Sequence, residues 1–564
     1  MTAIPPHRRL LALLRPERRD ILLIIFFSLV SGVLNLASPL AVDAVVNNIT
    51  FGGEQQVFLQ TLLIFSFALL VFLALLSLIS ATQHYVAELI QRRLFARLAA
   101  DLSYRLPHLD VSVLERAKLP ELVNRFLDVV TVQKSSATLL LDGINVLLAM
   151  VIGLLILAFY HPFLLAFNVF LTTGLLIVIL FFQRRAVQTS IEESYAKHGL
   201  AGWFEQILFC PVLFKHPAAS EYCHQRTEQG VHAWLTARRA HYRILIRQIL
   251  GLLGLQALAN GLLLATGGFL VLRGELTLGQ LVAAELIVSA ILASLVSLGK
   301  HVEAWYDALA ATDKLGSLID LQVESSSGDM RQVPDKALEI SADDLTFGYT
   351  SSRPLASEVK FRILAGERIG LTGPIGVGTG TLLELFFGLR PPLAGTLKLG
   401  GVDIRHWDLP ALREATVLVR HIEIFDGTVL DNLCMGRQLP LQEVQSTLDG
   451  VGLGSVITRL PEGLQTRLKP GGRPLSDSQR ILLVVARALL ARPRLLLIDK
   501  LLDGLDPKEL QPLLSMILSR EAPWTLMLAT RDAEILGRCD RVLRIQQGKV
   551  IPEAAPSAHQ PHHP

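Results

Sequence analysis

Residues 367–383 read ERIGLTGPIGVGTGTLL, and this stretch decides the fold of the second half of the chain. The apolar run up to Leu371 predicts a buried strand, the glycines predict a tight turn, and the residues after Thr379 predict the first turn of a helix. A glycine-rich turn between a strand and a helix directs backbone N–H groups and the positive end of the helix toward a phosphate. The stretch therefore predicts a phosphate-binding loop in an α/β domain.

The end of this loop departs from the usual phosphate-loop pattern. Such a loop ends in Gly-Lys-Ser or Gly-Lys-Thr, because the lysine contacts the phosphates and the hydroxyl binds Mg²⁺. Here Thr379 stands at the lysine position and Gly380 at the hydroxyl position. Taken alone, the loop is a weak indication of nucleotide binding.

Composition separates the two halves of the chain. Of the 564 residues, 51% are hydrophobic and 18% are charged, and the apolar residues are concentrated in the first half. This distribution indicates membrane spans. The formal net charge of +3 gives no indication of a nucleic-acid partner, and none is expected. The four cysteines lack the close pairing of a zinc site, so we expect reduced, structural thiols.

Six apolar runs are near or above the length of about 18 residues that crosses the hydrocarbon core as a helix. They cover residues 21–42, 57–83, 137–160, 163–182, 249–272 and 278–299. The connecting segments 84–136 and 183–248 are long and rich in arginine, whereas segment 43–56 contains neither lysine nor arginine. An excess of positive charge on alternate connections places the two long segments in the cytosol. Their apolar spacing favours helices that continue out of the membrane, with solvated loops as the alternative.

Two ionisable residues, Asp142 and Glu285, fall inside or beside the predicted spans. Charged groups are costly in lipid and often functional. Asp142 is close to the cytosolic end of its span, where hydration is a sufficient explanation. Glu285 lies about two turns into the last span and is our candidate for the transport path.

Further motifs follow the phosphate loop in a recognisable order. They are FGY at 347–349, IFDGTVLDNL at 424–433, LSDSQR at 475–480, LLLIDK at 495–500, LD at 505–506 and TR at 530–531. In this order they resemble the nucleotide-binding domain of ABC transporters. The whole chain resembles an ABC exporter half-transporter over residues 15–552. In the membrane half, GELTLGQLVA at 274–283 is similar to bacterial type I secretion exporters.

The resemblance implies an all-α six-helix transmembrane domain of the ABC exporter type 1, followed by an α/β P-loop-type nucleotide-binding domain. The expected organisation is a cytosolic N-terminal segment, a transmembrane domain, a linker, a degenerate nucleotide-binding domain and a disordered Pro/His tail. Their expected bounds are 1–19, 20–320, 321–336, 337–552 and 553–564.

The resemblance also assigns candidate roles to single residues. Tyr349 is expected to stack on adenine, and Asp499 is the weak metal anchor. The candidate nucleotide-binding residues of the loop are Gly373, Gly376, Gly378, Thr379, Gly380 and Thr381. The signature positions, which in this family face the phosphate loop of a partner domain, are Ser476, Asp477, Ser478 and Gln479.

None of the expected catalytic side chains is intact. Arg420 stands for the glutamine near the metal, Lys500 for the glutamate that polarises water, and Arg531 for the switch histidine. Together with Thr379, these replacements change the charge of the pocket by about +3, which attracts polyanions and disfavours Mg²⁺. We therefore expect weak ATP binding at most, no Mg²⁺ and no hydrolysis at this chain's own site.

The signature is altered as well. Asp477 and Ser478 replace its two glycines, and an aspartate there repels phosphate. One hypothesis is that, in a homodimer, Asp477 of one copy pairs with Arg420, Lys500 or Arg531 of the other. The alternative is independent drift at an unused site.

Three functions are compatible with these features. The first is a non-hydrolysing half-transporter of a bacterial export system, working with a catalytically intact partner. The second is a homodimeric scaffold, receptor or regulator of an export system, and the third is an ATP-driven exporter with unusual motifs. The expected partners are a second ABC half-transporter, identical or different, and a periplasmic adaptor protein. The expected location is the bacterial cytoplasmic membrane, with the nucleotide-binding domain in the cytosol.

Overall fold

The computed structural model describes residues 5–35, 37–50, 55–116, 125–148, 151–152, 155, 162–275, 277–325 and 328–553. The chain divides into two compact units, Met1–Val323 and Glu324–Pro564.

The first unit is helical wherever the structure describes regular elements. Its α-helices are α1 Pro6–Leu14, α2 Arg18–Leu34, α3 Ala37–Thr50, α4 Gln55–Arg105, α5 Val111–Arg116, α6 Asp128–Thr138, α7 Pro162–Phe209, α8 Pro217–Leu272 and α9 Leu278–Ile319. Among the described residues, the stretches Leu62–His108, Val169–Phe209 and Pro217–Leu272 are long and apolar enough to cross a membrane.

The longest helices exceed the thickness of a bilayer. Helices α7 and α8 contain 48 and 56 residues. At 1.5 Å per residue they are about 72 and about 84 Å long, against a hydrocarbon core of about 30 Å. Segment 183–248 is therefore mostly helical, as its apolar spacing predicts. Helix α7 ends at Phe209, just before Pro211, because proline disfavours a helical conformation in the residue that precedes it.

Two predicted spans have interrupted helices. The run 21–42 is divided between α2 and α3. Pro39 lies in the first turn of α3, where a backbone N–H would have no hydrogen-bond partner within the helix, so proline costs no hydrogen bond there. The run 137–160 begins at the end of α6 and passes through a π-helical turn, Leu139–Gly143, that contains Asp142. Much of the rest of this run lies outside the described residues.

The N-terminal segment belongs to the first unit. Leu10 is buried, and Arg9 forms an ion pair with Asp320, the residue that follows α9. Glu17 is buried and forms ion pairs with Arg93 at 3.3 Å and Arg97 at 3.4 Å on α4. These contacts attach the predicted segment 1–19 to two long helices.

The second unit is built on two larger sheets and a short two-stranded sheet. Its strands are β1 Ile340–Phe347, β2 Ala356–Ile363, β3 Arg368–Thr372, β4 Ala394–Leu399, β5 Val402–Asp403, β6 Thr416–Val419, β7 Gly427–Thr428, β8 Arg467–Leu468, β9 Leu495–Asp499, β10 Thr525–Ala529, β11 Arg541–Gln546 and β12 Lys549–Glu553. The main sheet has the order β12-β11-β3-β10-β9-β6, and the antiparallel sheet has the order β2-β1-β4-β5. Strands β7 and β8 form the short antiparallel sheet.

Helices connect these strands and cover the main sheet. They are α10 Thr379–Phe386, α11 Leu409–Ala415, α12 Val429–Cys434, α13 Leu441–Gly450, α14 Gly454–Arg459, α15 Asp477–Leu490, α16 Pro507–Ile517 and α17 Ala533–Gly537. Every residue of β3, β9 and β10 is buried, as expected for parallel strands covered on both faces.

The parallel order of the main sheet positions the candidate site. Strand β10 pairs in parallel with β3 and β9, and β6 pairs in parallel with β9. The carboxyl ends of these four strands therefore meet at one edge of the sheet, where ligands of such folds bind.

Residues just outside both predicted bounds of the second domain form contacts within the second unit. Within the predicted linker, Glu324 accepts two hydrogen bonds from Arg413, at 2.6 and 2.7 Å, and the Met330 N–H donates to the His406 carbonyl at 3.0 Å. These residues belong to the second unit because they satisfy polar groups on its surface. At the other end, β12 continues to Glu553, whose carboxylate lies 2.7 Å from Arg544 Nε. The remainder of the predicted tail lies outside the described residues.

Candidate functional site

The predicted phosphate loop connects β3 to α10, as the sequence indicates. Gly376 and Gly378 have φ values of +84° and +100°, in the left-handed region that favours glycine. A Cβ atom at Gly373 would lie 2.6 Å from the carbonyl oxygen of Ile545. The backbone therefore requires these glycines whether or not a nucleotide binds.

The loop retains donors for an anion. Across the described residues, the N–H groups of residues 375–381 donate no hydrogen bond to any group outside α10. Thr379 and Thr381 are buried in the first turn of α10, whereas Ile375 at the tip of the loop is exposed. Free N–H groups at a helix N-terminus fit the phosphates of a nucleotide.

Arg420, just beyond β6, lies between two buried carboxylates. Its Nη1 donates to Oε1 of Glu384, and its Nε lies 3.5 Å from Oδ2 of Asp499. Glu384 also accepts a hydrogen bond of 2.5 Å from Nε of Arg390. The side chains of Glu384 and Asp499 are 4% and 9% exposed, so both charges depend on these partners.

This arrangement does not fit Mg²⁺. A Cβ atom at Gly380 would lie 2.7 Å from Oδ2 of Asp499 and 3.6 Å from Nη2 of Arg420. The carboxylate and the guanidinium therefore border the position from which a serine would offer its hydroxyl. Mg²⁺ requires a near-octahedral set of oxygen ligands, but Gly380 supplies none and Arg420 repels a dication.

Asp499 itself is in an unfavourable environment for a charged carboxylate. Burial raises the pKa of its carboxyl group, an effect opposed chiefly by the positive charges of Lys500 and Arg420. Its Oδ1 atom is buried and has no hydrogen-bond partner among the described residues. Lys500 and Arg420 are therefore the main cations that compensate this carboxylate, and Arg420 is the one that forms an ion pair with it.

Lys500 and Arg531 are exposed at the same edge of the sheet. Lys500 follows β9 with a φ of +56°, which is unusual for a residue with a side chain, and its N–H donates to the Ala529 carbonyl at 2.9 Å. Arg531 follows β10. Neither side chain forms an ion pair with another residue that the structure describes. Both remain available to an anion from outside.

Tyr349, the predicted adenine-stacking residue, is exposed and leans over the start of α10. Its hydroxyl lies 3.4 Å from Oγ1 of Thr381. The guanidinium carbon of Arg390 lies 4.6 Å from the centroid of the tyrosine ring, in a cation–π contact. Arg390 thus covers part of the ring, and the stacking of adenine on Tyr349 stays a prediction.

The signature residues begin helix α15. The Ser476 hydroxyl accepts from the Gln479 N–H at 3.3 Å, and the Gln479 side chain accepts from the Ser476 N–H at 2.9 Å. This is a capping box, which satisfies two free N–H groups at the start of a helix. The two signature residues that match the family pattern thus have a structural role independent of any nucleotide. Ser478 is half-buried within the same first turn.

Asp477 is highly exposed and forms an ion pair with Arg480, one turn further along α15. Within this chain, Asp477 and Arg420 therefore both have partners already. If the hypothesis of pairing between two copies holds, Lys500 and Arg531 are its remaining candidates.

Glu285 lies in α9 with an exposed side chain, and Asp142 is exposed in its π-helical turn. Neither residue has a contact in the structure that tests a role in transport, so the role of Glu285 stays a prediction.

The chain matches two descriptions of one protein family. Residues 21–295 match the ABC transporter transmembrane region, and residues 356–502 match the ABC transporter domain. The chain belongs to the ABC transporter family. It combines a membrane region of this family with a fused nucleotide-binding domain, as the order of motifs indicates.

Curated ABC transporter relatives match about half of the chain. An ATP-dependent lipid A-core flippase of Burkholderia orbicola is 30% identical over 44% of this chain and 42% of its own length. A type I secretion system ATP-binding protein of Rhizobium meliloti is 28% identical over 52% of this chain and 51% of its own length. An ATM1-type heavy metal exporter of Novosphingobium aromaticivorans is 26% identical over 50% of this chain and 47% of its own length. The matches thus span about half or less of these relatives.

A solved ABC transporter structure supports the fold over nearly the whole chain. A bacterial Atm1-family ABC exporter with ATP bound superposes with a TM-score of 0.85 at 21% identity, covering 95% of each chain. The predicted fold class, a helical ABC exporter membrane domain followed by a nucleotide-binding domain, is confirmed.

Sequence reasoning missed Glu384 and Arg390 of this ABC transporter's site. Glu384 interrupts the otherwise apolar run from Leu382 to Phe387 in and after α10. A carboxylate on the buried face of a helix requires a cation, so this interruption is the signal that could have revealed the ion pairs of Glu384 with Arg390 and Arg420. The partner could not have been chosen without the fold.

Proposed function

We propose that the chain is a non-hydrolysing subunit of an ABC exporter in the bacterial cytoplasmic membrane. The observation that carries the proposal is the position of Arg420 between Glu384 and Asp499, beside Gly380. Hydrolysis in this family relies on a bound metal, an oriented water and stabilisation of the developing charge. At the positions of the family's glutamine and glutamate, this chain instead has the guanidinium of Arg420 and the ammonium group of Lys500.

Lys500 adds a second argument. It occupies the position of the water-polarising glutamate, and a cationic ammonium group has no free electron pair with which to act as a base. Loss of a general base alone usually lowers a rate by about 10²–10⁴. The changes at Thr379, Gly380 and Arg531 add to this loss.

A catalytically intact second half-transporter is the partner that this function requires. The coupling would then be mechanical, since closure at the partner's site rearranges membrane helices that both subunits share. The named relatives include a lipid A-core flippase, a type I secretion protein and a heavy metal exporter. Together with the similarity at 274–283, they support export, with a polypeptide as the first substrate class to examine and a periplasmic adaptor as a further partner.

Copurification from the native host tests this assignment against a homodimeric scaffold. The tagged chain is isolated in mild detergent, and the copurifying proteins are identified by mass spectrometry. A second ABC half-transporter with intact lysine and glutamate motifs, present in equal amount, is the expected result. Recovery of this chain alone as a dimer would support the scaffold instead.

A further inference from the structure

The candidate site contains its own cation. Arg420 and Arg390 both donate to Glu384, and Arg420 also faces Asp499. The two positive and two negative charges of this cluster cancel. A bound dication would therefore not be neutralised by the cluster, and beside Gly380 it would meet the Arg420 guanidinium, whose Nη2 lies 3.6 Å from the Cβ position there.

The phosphate loop beside this cluster still suits an anion. Its N–H groups donate to no group outside α10 within the described part of the chain. Lys500 and Arg531 follow neighbouring strands and are exposed. Because the charges of the cluster cancel, Lys500 and Arg531 leave this edge of the main sheet with a net positive charge. Phosphate oxygens therefore meet N–H donors and cations there without a metal.

We propose that this site takes a nucleoside triphosphate as the metal-free anion, with the Arg420 guanidinium in the place of the divalent cation. The free anion keeps all its phosphate charge for the loop N–H groups, Lys500 and Arg531. Chelation by Mg²⁺ removes two of these charges and adds a dication beside Arg420, so Mg²⁺ competes with the site for the ligand. The inference rests on the proposed function only in that the bound triphosphate is not cleaved.

The test measures ATP binding to the purified full-length chain in detergent or nanodiscs. Equilibrium dialysis with radiolabelled ATP is carried out in excess EDTA and in excess MgCl2, with ionic strength matched by NaCl. We expect binding about tenfold tighter in EDTA, the effect of roughly one charge-assisted hydrogen bond. Binding that requires Mg²⁺, binding that is equal in the two buffers, or no binding in either buffer would overturn the proposal.

Variants of single residues test whether Arg420 causes the tighter binding of ATP in EDTA. Arg420→Gln should abolish the preference for EDTA, and Arg420→Lys, which keeps a charge but not the planar fork, should reduce it. Arg405→Gln is the matched control, because Arg405 is half-exposed and pairs with Asp403 in a different part of the unit, so its loss should leave the preference unchanged. A preference that survives in a folded Arg420→Gln protein would contradict the assignment to Arg420.

The same samples separate this inference from the proposed function. Phosphate released in the MgCl2 samples shows whether the chain hydrolyses ATP. Release of phosphate contradicts the proposed function, whereas loss of the EDTA preference without release contradicts only the inference.

Discussion

Arg420 Nε and Asp499 Oδ2 lie 3.5 Å apart, at the edge of the sheet where ABC transporters place a metal. The first residue follows β6 and the second ends β9, so the parallel pairing of these strands brings them together. This relationship connects the altered motifs to a physical consequence: a guanidinium of the protein itself lies beside the aspartate.

Replacing Arg420 by glutamine should destabilise the nucleotide-binding domain by about 1–3 kcal/mol, because Glu384 and Asp499 lose a charged hydrogen-bond partner while they stay buried. Thermal unfolding of the purified chain measures the effect. The matched substitution Arg405→Gln removes a half-exposed arginine that pairs with the single carboxylate of Asp403, and it should cost less than Arg420→Gln. Equal losses in the two variants would show that Arg420 has no special structural role.

Ser476→Ala should lower the stability of the second unit by about 1 kcal/mol, the usual cost of losing an N-cap. Ser476→Asn retains a good capping residue and should restore most of this loss. Ser478→Ala, in the same turn but outside the capping box, is the control. If alanine at 476 leaves the melting temperature unchanged, the retained serine needs an explanation other than helix capping.

Lys500→Glu should not restore hydrolysis by itself. The substitution returns a carboxylate to the base position, but Thr379 and Gly380 still lack the groups that contact phosphate and metal. The comparison is a combined variant in which the altered positions carry the residue types of the family pattern: Thr379→Lys, Gly380→Ser, Arg420→Gln, Lys500→Glu and Arg531→His. Phosphate release from the single variant would mean that the remaining site is closer to competence than its geometry indicates.

Lys314, beyond the predicted end of the last span, makes the stability of the first unit depend on pH. It is buried, its Nζ donates to the Ser194 carbonyl at 2.8 Å, and it lies 3.8 Å from the Asp128 carboxylate. Burial, opposed by Asp128, lowers the pKa of Lys314 from 10.5 to about 8. Between these two values the unfolded chain holds a proton that the folded chain has released, so stability rises with pH over this window.

The measurement is the melting temperature of the wild type and of Lys314→Met from pH 7.5 to 10. The wild type should gain stability relative to the variant as the pH increases. Parallel curves for the two proteins would contradict the lowered pKa.

The fold was predictable because its signals are periodic and ordered along the chain. The stretch 367–383 predicts the strand, loop and helix that the structure contains, and the apolar runs predict the longest helices. The exceptions have local causes. A new helix begins at Ala37 within the first predicted span, with Pro39 in its first turn, and Glu324 extends the second unit into the predicted linker through its hydrogen bonds with Arg413.

The site was predictable in its substitutions but not in their arrangement. The sequence identifies Arg420 and Lys500 at altered positions, yet the two follow different strands and have different surroundings. Arg420 is held by two buried carboxylates, whereas Lys500 is exposed. One of those carboxylates, Glu384, belongs to no motif, so its role depends on a contact between α10 and the end of β6 that only the fold provides.

Phosphate release from ATP by the purified wild-type chain tests the central claim most directly. The assay compares the wild type with Asp499→Asn, in the presence of MgCl2 and in the presence of EDTA. We predict that the wild type releases phosphate no faster than Asp499→Asn under either condition. A Mg²⁺-dependent rate that Asp499→Asn abolishes would contradict the account and identify the chain as an ATP-driven exporter with unusual motifs.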